Sequence, residues 1–276
     1  DQMIAQRNEV FLGRLFLLVA VVLTVLPILN MLSAALQPAD VNPTGLRWPQ
    51  DPQWINFVTA FNTGNVWRLM GSSMFIVLFV VPTSLIAATL AGFALGNLRF
   101  KGGRFVFLFL ILGLTIPFEA LMIPLYYEMK FLGVLNTQWA VIFPLIGLFM
   151  PFSVVWMRAH FLGVPQELSE AAKVDGASFR HEFFSIQLPL ARPALSALAI
   201  LLFLWTWNQF LLPVVLIANP LDRTVAGALT FFQGQYSSSI PLLNAGALII
   251  IIPTILVFAI FQRQFIAALL QGAVKG

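Results

Sequence analysis

The chain contains no cysteine and only two histidines, His160 and His181, among its 276 residues. The absence of cysteine excludes disulfides and thiolate metal sites, and two histidines are too few for a histidine-based metal site. Charged residues are also scarce, at 9%, whereas a soluble domain carries roughly a quarter. Apolar residues make up 59% and the mean hydropathy is +0.90. The composition therefore predicts an all-α polytopic membrane protein with no metal site.

The sequence also lacks the residues by which a protein of this kind could act alone. It has no Gly-x-x-x-x-Gly-Lys-Ser/Thr phosphate cradle. It has no paired carboxylates or Ser/His arrangement, so we predict no catalytic residue and no enzyme. A stand-alone secondary transporter or channel, which would need a coupling-ion site or polar pore rings, is a rival class. A membrane-embedded enzyme is a second rival class.

Six apolar runs are long enough to cross a bilayer, whose hydrocarbon core takes about 20 residues of helix. We therefore predict a single transmembrane domain over residues 1–276, with a tail at 263–276. An even number of spans places both termini on one side of the membrane. The predicted spans lie near residues 11–33, 72–98, 105–126, 137–158, 191–216 and 242–262.

Basic residues are distributed unevenly over the two sets of loops. Eleven lie on the side of the termini and four on the other, which indicates cytoplasmic termini by the positive-inside rule. This asymmetry also accounts for the net charge of +4 without a nucleic-acid partner. The eleven are Arg7, Arg14, Arg99, Lys101, Arg104, Arg158, Lys173, Arg180, Arg192, Arg263 and Lys275, and the four are Arg47, Arg68, Lys130 and Arg223.

A polar stretch at residues 163–190, called the elbow below, separates the fourth and fifth predicted spans. Pro165 suits the first turn of a helix. Gly176 can take the left-handed conformation that ends one. Asp175 or Ser178 can cap a second helix, and Pro189 marks the turn into the next span. The sequence thus predicts two short helices projecting from the membrane on its cytoplasmic side.

The first predicted helix of the elbow has features of a docking surface. Ala171 and Ala172 have almost no side chain, so we expect a partner to approach that face closely. Glu170 offers a charge to a basic residue of a partner or of the loop itself. A loop that merely joined two spans would need far fewer residues.

The motif around these residues resembles the signature of permease subunits of bacterial ATP-binding-cassette (ABC) importers. The pattern is Glu-Ala-Ala, three residues, Gly, nine residues, Ile, one residue, Leu-Pro. All its elements are present as Glu170, Ala171, Ala172, Gly176, Ile186, Leu188 and Pro189. The stretches 123–126, 135–137, 207–208 and 272–276 resemble the carbohydrate-uptake branch, and the likeness is closest to maltose-transporter-type inner-membrane permeases.

This resemblance implies a six-span type I ABC importer permease in a bacterial inner membrane. It implies that the elbow couples to two ATPase subunits, which bind ATP and Mg²⁺, while this chain binds no cofactor. It further implies a second, homologous permease subunit and an extracytoplasmic solute-binding protein that delivers a sugar. Glycerol-3-phosphate or a related glycerophosphodiester is the alternative solute, and the scarcity of cations within the spans favours a neutral sugar.

Polar groups within spans are costly and therefore are candidates for the substrate path. Asn208 offers a donor and an acceptor to sugar hydroxyls, with Trp205 and Trp207 beside it. The alternative is that its amide forms a hydrogen bond between helices. Glu119, counted along a straight helix from residue 105, falls about 21 Å into the third span. There it could line a cavity, pair with a partner's cation or lie at headgroup level. Further candidates are Gln209, Tyr126 and Asn244.

On the outer side, aromatic residues mark two loops. Trp48, Trp54, Phe57 and Trp67 in the 34–71 loop indicate a short amphipathic segment at the membrane interface. Phe231, Phe232 and Tyr236 in the 217–241 loop stand among Gly, Gln and Ser. These three could contact a soluble partner or a polar ligand, or anchor the loop at the interface.

Overall fold

The computed structural model describes residues 2–98, 100–232 and 239–273. Within these ranges the chain forms helices and turns and no strand, which confirms the all-α prediction. The α-helices are α1 (Gln2–Ala35), α2 (Ile55–Thr63), α3 (Val66–Asn97), α4 (Gly103–Gly113), α5 (Met122–Phe131), α6 (Trp139–Leu162), α7 (Gln166–Val174), α8 (Phe179–His181), α9 (Leu188–Leu190), α10 (Arg192–Trp207), α11 (Leu211–Leu216) and α12 (Ile240–Ala273). Glu182–Gln187 is π-helical, and 3₁₀ turns occupy Phe118–Leu121, Pro220–Asp222 and Val225–Phe232.

Among the described helices, four are long and apolar enough to cross a bilayer, and two bent pairs would bring the number to six. The four are Leu12–Ala35, Val66–Asn97, Trp139–Leu162 and Ile240–Arg263. The pairs are Gly103–Gly113 with Phe118–Phe131, and Phe179–Leu190 with Arg192–Trp207. None of the most apolar stretch of α1 is buried, as expected for a helix whose solvent is lipid.

The chain divides into two compact units. The first comprises residues 1–66 and 228–252. Its core contains Ala35, Ala60, Phe232 and Ala245. The amide of Asn56 donates to the carbonyls of Ala35 and Gln37 at 2.8 and 2.7 Å, so this buried side chain satisfies the backbone after α1.

The second unit comprises residues 67–227 and 253–276. Within it, α3 packs closely on α6. A Cβ atom on Gly92 would lie 2.6 Å from Cβ of Met157, and one on Gly96 would lie 3.3 Å from Cβ of Phe161. Small residues four positions apart let two membrane helices approach closely. The indole of Trp156 then joins α6 to α10 by donating to the carbonyl of Ala194 at 3.0 Å.

Two predicted spans are not continuous helices. The run 105–126 breaks after Gly113, and its two halves bend by 97°. Pro117 at the break is extended (ψ 129°), which agrees with its missing N–H donor. The run 191–216 loses its helix at Trp207 and resumes at Leu211. The predicted tail is helical as far as Ala273, and residues 274–276 lie outside the described part.

Candidate functional site: the elbow and its connection to the spans

The elbow folds into two arms joined by a tight turn. The first arm is α7, and the second runs over Phe179–Leu190 as α8, the π-helical segment and α9. Gly176 has φ +74°, the left-handed conformation predicted from the sequence. The N–H of Ala177 donates to the carbonyl of Ala172 at 2.9 Å, which closes the end of α7. Of the two predicted caps, Ser178 is the one observed, because its hydroxyl accepts from the N–H of His181.

A side-chain hydrogen bond holds the two arms together. The amide of Gln187, which is fully buried, donates to the hydroxyl of Ser169 at 3.0 Å. A bond of this kind contributes about 0.5–1.5 kcal/mol to keeping the arms together. It links the two arms directly.

The exposed surface of the elbow differs in part from the prediction. Glu170, Ala171, Asp175 and Gly176 are exposed. Among the described side chains Glu170 has no ion pair. A Cβ atom on Gly176 would meet nothing within 4 Å. This exposed turn is the surface that remains available to another molecule.

Ala172 corrects one expectation. It is only 6% exposed. A partner therefore cannot approach its side chain closely, which is the opposite of what the sequence predicts. Alanine suits this buried position on α7 because its side chain is small. Ile186, Leu188 and Pro189 are half-buried, and Leu188 packs on the core of the second unit.

Four phenylalanines, called the Phe93 cluster below, connect the second arm to the membrane helices. Phe93 of α3 is 3% exposed. Its ring centroid lies 5.3 Å from that of Phe161 on α6, and 5.6 and 4.9 Å from those of Phe179 and Phe183 on the second arm. Aromatic pairs at these separations attract beyond simple burial. The second arm is thereby packed against α3 and, through Phe93, linked to α6.

The sequence did not single out Phe93. The chain has 27 phenylalanines, and nothing in their spacing separates those that meet across the fold from those that face lipid. The nearby Gly92 and Gly96 provided the only sequence signal, because such a pair indicates close helix contact without naming the partner helix.

The candidates for the substrate path lie around the end of α10. Asn208 is exposed and forms the C-cap of α10, with its amide donating to the carbonyl of Leu204 at 2.8 Å. This bond stays within one helix, so it is not the interhelical bond considered above. Trp205 is 37% exposed and packs edge-on against Phe152 at 4.9 Å, whereas Trp207 is buried. The structure thus leaves Asn208 and the Trp205 ring accessible and removes Trp207 from the accessible set.

Two other candidates differ from their predicted settings. Glu119 is exposed in the 3₁₀ turn after the break in the third run, so the 21 Å estimate for a straight helix is wrong. The backbone carbonyl of Gln209 accepts from the hydroxyl of Thr224. This bond ties the end of α10 to the segment that follows α11.

That segment, residues 217–225, is fixed at several points. Asn136, at φ +67°, accepts at Oδ1 from the N–H of Ala218 at 2.9 Å. Arg68 forms an ion pair with Asp222 at 2.8 Å. The hydroxyl of Ser73 accepts from the N–H of Val225 at 2.7 Å. Segment 217–225 is therefore held to neighbouring helices and loops by hydrogen bonds and an ion pair.

Phe232, further along the same loop, is 5% exposed and belongs to the core of the first unit. Its ring fills the space beside Gly64 and Gly246, where added Cβ atoms would come within 3.0 and 2.7 Å of it. The expectation that Phe232 contacts a partner or a ligand is therefore wrong. Tyr236, predicted for the same role, lies outside the described residues.

The helical fold and the elbow motif define a permease of the ABC importer class, and comparisons with known proteins establish this. The chain belongs to the family described as "Binding-protein-dependent transport system inner membrane component", whose model matches residues 88–270. It is thus a multi-pass inner-membrane protein.

Relatives with known names extend over nearly the whole chain. The arabinooligosaccharides transport system permease protein AraQ of Halalkalibacterium halodurans is 38% identical and is aligned over 92% of each chain. The trehalose transport system permease protein SugB of Mycobacterium tuberculosis is 31% identical over 91% of this chain and 92% of its own. A bacterial ABC transporter that imports the acidic polysaccharide alginate has a chain of the same fold, with a TM-score of 0.79, 22% identity, and coverage of 95% of this chain and 98% of that chain.

Proposed function

We propose that this chain forms half of the membrane pathway of an ATP-driven sugar importer and receives its driving force at the elbow. One observation carries the proposal: the turn of the elbow is exposed and open around Gly176, while its second arm packs into the Phe93 cluster. One end of the elbow is thus free to meet a partner and the other is fixed to the spans. Two ABC ATPase subunits, which bind ATP and Mg²⁺, are the proposed partners.

The lack of an energy source in the chain supports this role. Uphill transport requires energy, and the sequence has no nucleotide cradle. Among the described residues, no group of three or more acidic or histidine side chains could hold a metal ion. Energy supplied by contact then needs a surface element attached to the spans, and the bond between Ser169 and Gln187 ties the two arms of that element together.

The test compares two substitutions at Gly176. Either Ala or Leu would place a side chain at φ +74°, with a backbone cost of roughly 1–2 kcal/mol. Leu adds three further carbons beyond the Cβ atom, and within this chain nothing lies within 4 Å of that added Cβ atom. A larger defect for Gly176→Leu than for Gly176→Ala therefore reports a surface supplied by another protein. We expect Gly176→Leu to reduce co-purification of the ATPase subunits at least tenfold relative to Gly176→Ala.

Gly133 provides the matched control. It has φ +70° and equally open surroundings, but it lies in the loop between α5 and α6. Gly133→Leu should leave co-purification unchanged. Equal co-purification by Gly176→Leu and Gly176→Ala would contradict docking at the elbow.

We propose a sugar as the solute because relatives that match nearly the full length are named for arabinooligosaccharides and for trehalose. These names favour a sugar over glycerol-3-phosphate or a glycerophosphodiester. Within the spans, the accessible Asn208 amide and Trp205 ring are suited to sugar hydroxyls and to the apolar face of a sugar ring. We assign these two residues to the pathway, with Glu119 and Gln209 as weaker members.

The remaining components of the importer follow from this role. A second, homologous permease subunit completes the pathway, and an extracytoplasmic solute-binding protein docks on the outer loops, where the ordered segment 217–225 is a candidate contact. The eleven-to-four distribution of basic residues supports cytoplasmic termini and a cytoplasmic elbow.

A further inference from the structure

Three cations line an open cleft of about 820 Å³, which is formed by the end of α3, the turn after it, the first half of α4 and the end of α6. Lys101 comes from the turn between α3 and α4, Arg104 from the first turn of α4, and Arg158 from the last two turns of α6. All three positions lie at the ends of spans, so the cleft is at the membrane surface. The proposed orientation makes this the cytoplasmic surface.

The lining of the cleft combines basic and apolar side chains. Besides the three cations and Gly103, it consists of Leu95, Leu98, Phe100, Phe107 and Leu108, together called the apolar wall below. No residue of α4, which supplies part of this lining, is buried within this chain. A ligand that matches the lining therefore carries both negative charge and hydrocarbon.

Arg158 is held in place within the cleft. Its Nε donates to the carbonyl of Leu95 at 3.2 Å, and its guanidinium lies 3.9 Å from the centroid of the Phe107 ring. These contacts occupy one N–H group and one face of the guanidinium, and the Nη groups remain as donors of the planar fork that binds phosphate oxygens. A cation already ordered in this way loses little conformational freedom when it binds a ligand.

Gly102 lies between the other two cations, Lys101 in the turn and Arg104 in α4. Its φ of +94° allows the chain to reverse directly into α4, which brings Lys101 and Arg104 to the same cleft. Among the described side chains none of the three cations has an acidic partner within 4.0 Å. Arg99, which precedes this turn, lies outside the described residues.

We propose that this cleft binds the phosphate headgroup of an anionic phospholipid, with the lipid's acyl chain against the apolar wall. Basic clusters beside membrane helices attract anionic headgroups electrostatically, and each cation raises the affinity about fivefold. The apolar wall distinguishes a lipid from free phosphate, which could use the cations alone. Arg158, which lines the cleft, lies about one helical turn before Phe161, a member of the Phe93 cluster.

The test measures lipids retained by the assembled importer after purification from nanodiscs that contain phosphatidylglycerol and phosphatidylcholine, using native mass spectrometry. Lys101→Gln with Arg104→Gln removes two exposed cations and leaves the contacts of Arg158 in place. The control, Arg47→Gln with Lys130→Gln, removes two exposed cations elsewhere. We expect affinity for phosphatidylglycerol to fall roughly 25-fold in the cleft variant and to be unchanged in the control.

Three outcomes would overturn the proposal. Equal retention of phosphatidylglycerol by the cleft variant and the wild type would show that the lipid binds elsewhere. An equal loss in the control would show a general effect of net charge. Displacement of the retained lipid by millimolar inorganic phosphate, with phosphate bound in its place, would show that the cleft is a site for the free anion.

Discussion

Replacement of Phe93 tests whether the elbow drives the membrane helices through its aromatic contacts. Phe93→Ala removes a ring that is 3% exposed and has three aromatic neighbours, of which Phe183 is nearest at 4.9 Å. Truncation of a buried phenylalanine costs about 3–5 kcal/mol. The three ring pairs account for about 0.5–1.5 kcal/mol each beyond burial.

Most of this cost should appear as weaker attachment of the second arm. Two of the three rings around Phe93, those of Phe179 and Phe183, belong to that arm. A loss of about 3 kcal/mol raises the fraction of detached arms on the order of a hundredfold. The ATPase subunits would then move the elbow without moving α3 and α6. We expect ATP hydrolysis to continue while uptake falls at least tenfold.

The assay measures solute uptake and ATP hydrolysis on the same proteoliposomes. Phe93→Leu, which loses the ring pairs but keeps most of the buried apolar volume and so leaves a smaller cavity, should be intermediate. Phe105→Ala on α4 is the control, since that ring is 73% exposed. If uptake and hydrolysis fell in proportion, or if neither fell, the Phe93 cluster would not be the connection.

Three further substitutions have expected outcomes. Ser169→Ala leaves the buried amide of Gln187 without its acceptor, and the loss of about 1–3 kcal/mol should speed hydrogen exchange in α7. Asn136→Gly keeps the φ of +67° but removes the bond to Ala218. It should raise the concentration of binding protein needed for half-maximal uptake, and an unchanged value would remove segment 217–225 from the docking surface. Asn208→Ala should raise the solute concentration for half-maximal uptake severalfold with ATPase assembly intact, and normal uptake kinetics would exclude Asn208 from the path.

The turn of the elbow could be predicted from the sequence because its causes are local. The left-handed φ of Gly176 and the cap formed by Ser178 depend on residues within three or four positions of each other. Hydropathy likewise locates apolar runs, since every backbone group in lipid must find a partner within its own helix.

Features that depend on distant contacts could not be predicted in this way. The break after Gly113 lies within a run whose hydropathy predicts one span, and Pro117 is a local signal for the break. The burial of Phe232 depends on packing with Ala35 and Ala60, which lie far along the chain. A pattern read along one segment does not contain that information.

The most direct test of whether the ATPase subunits bind the elbow uses the absence of cysteine in this chain. Ala171→Cys places a unique thiol on the exposed face of α7, whereas Gln50→Cys places one on an exposed outer loop. Maleimide labelling of each is measured in a permease assembly otherwise free of cysteine, with and without the ATPase subunits. We predict that the ATPase subunits protect Ala171→Cys and leave Gln50→Cys fully labelled. Equal labelling of Ala171→Cys in both states would contradict docking at the elbow.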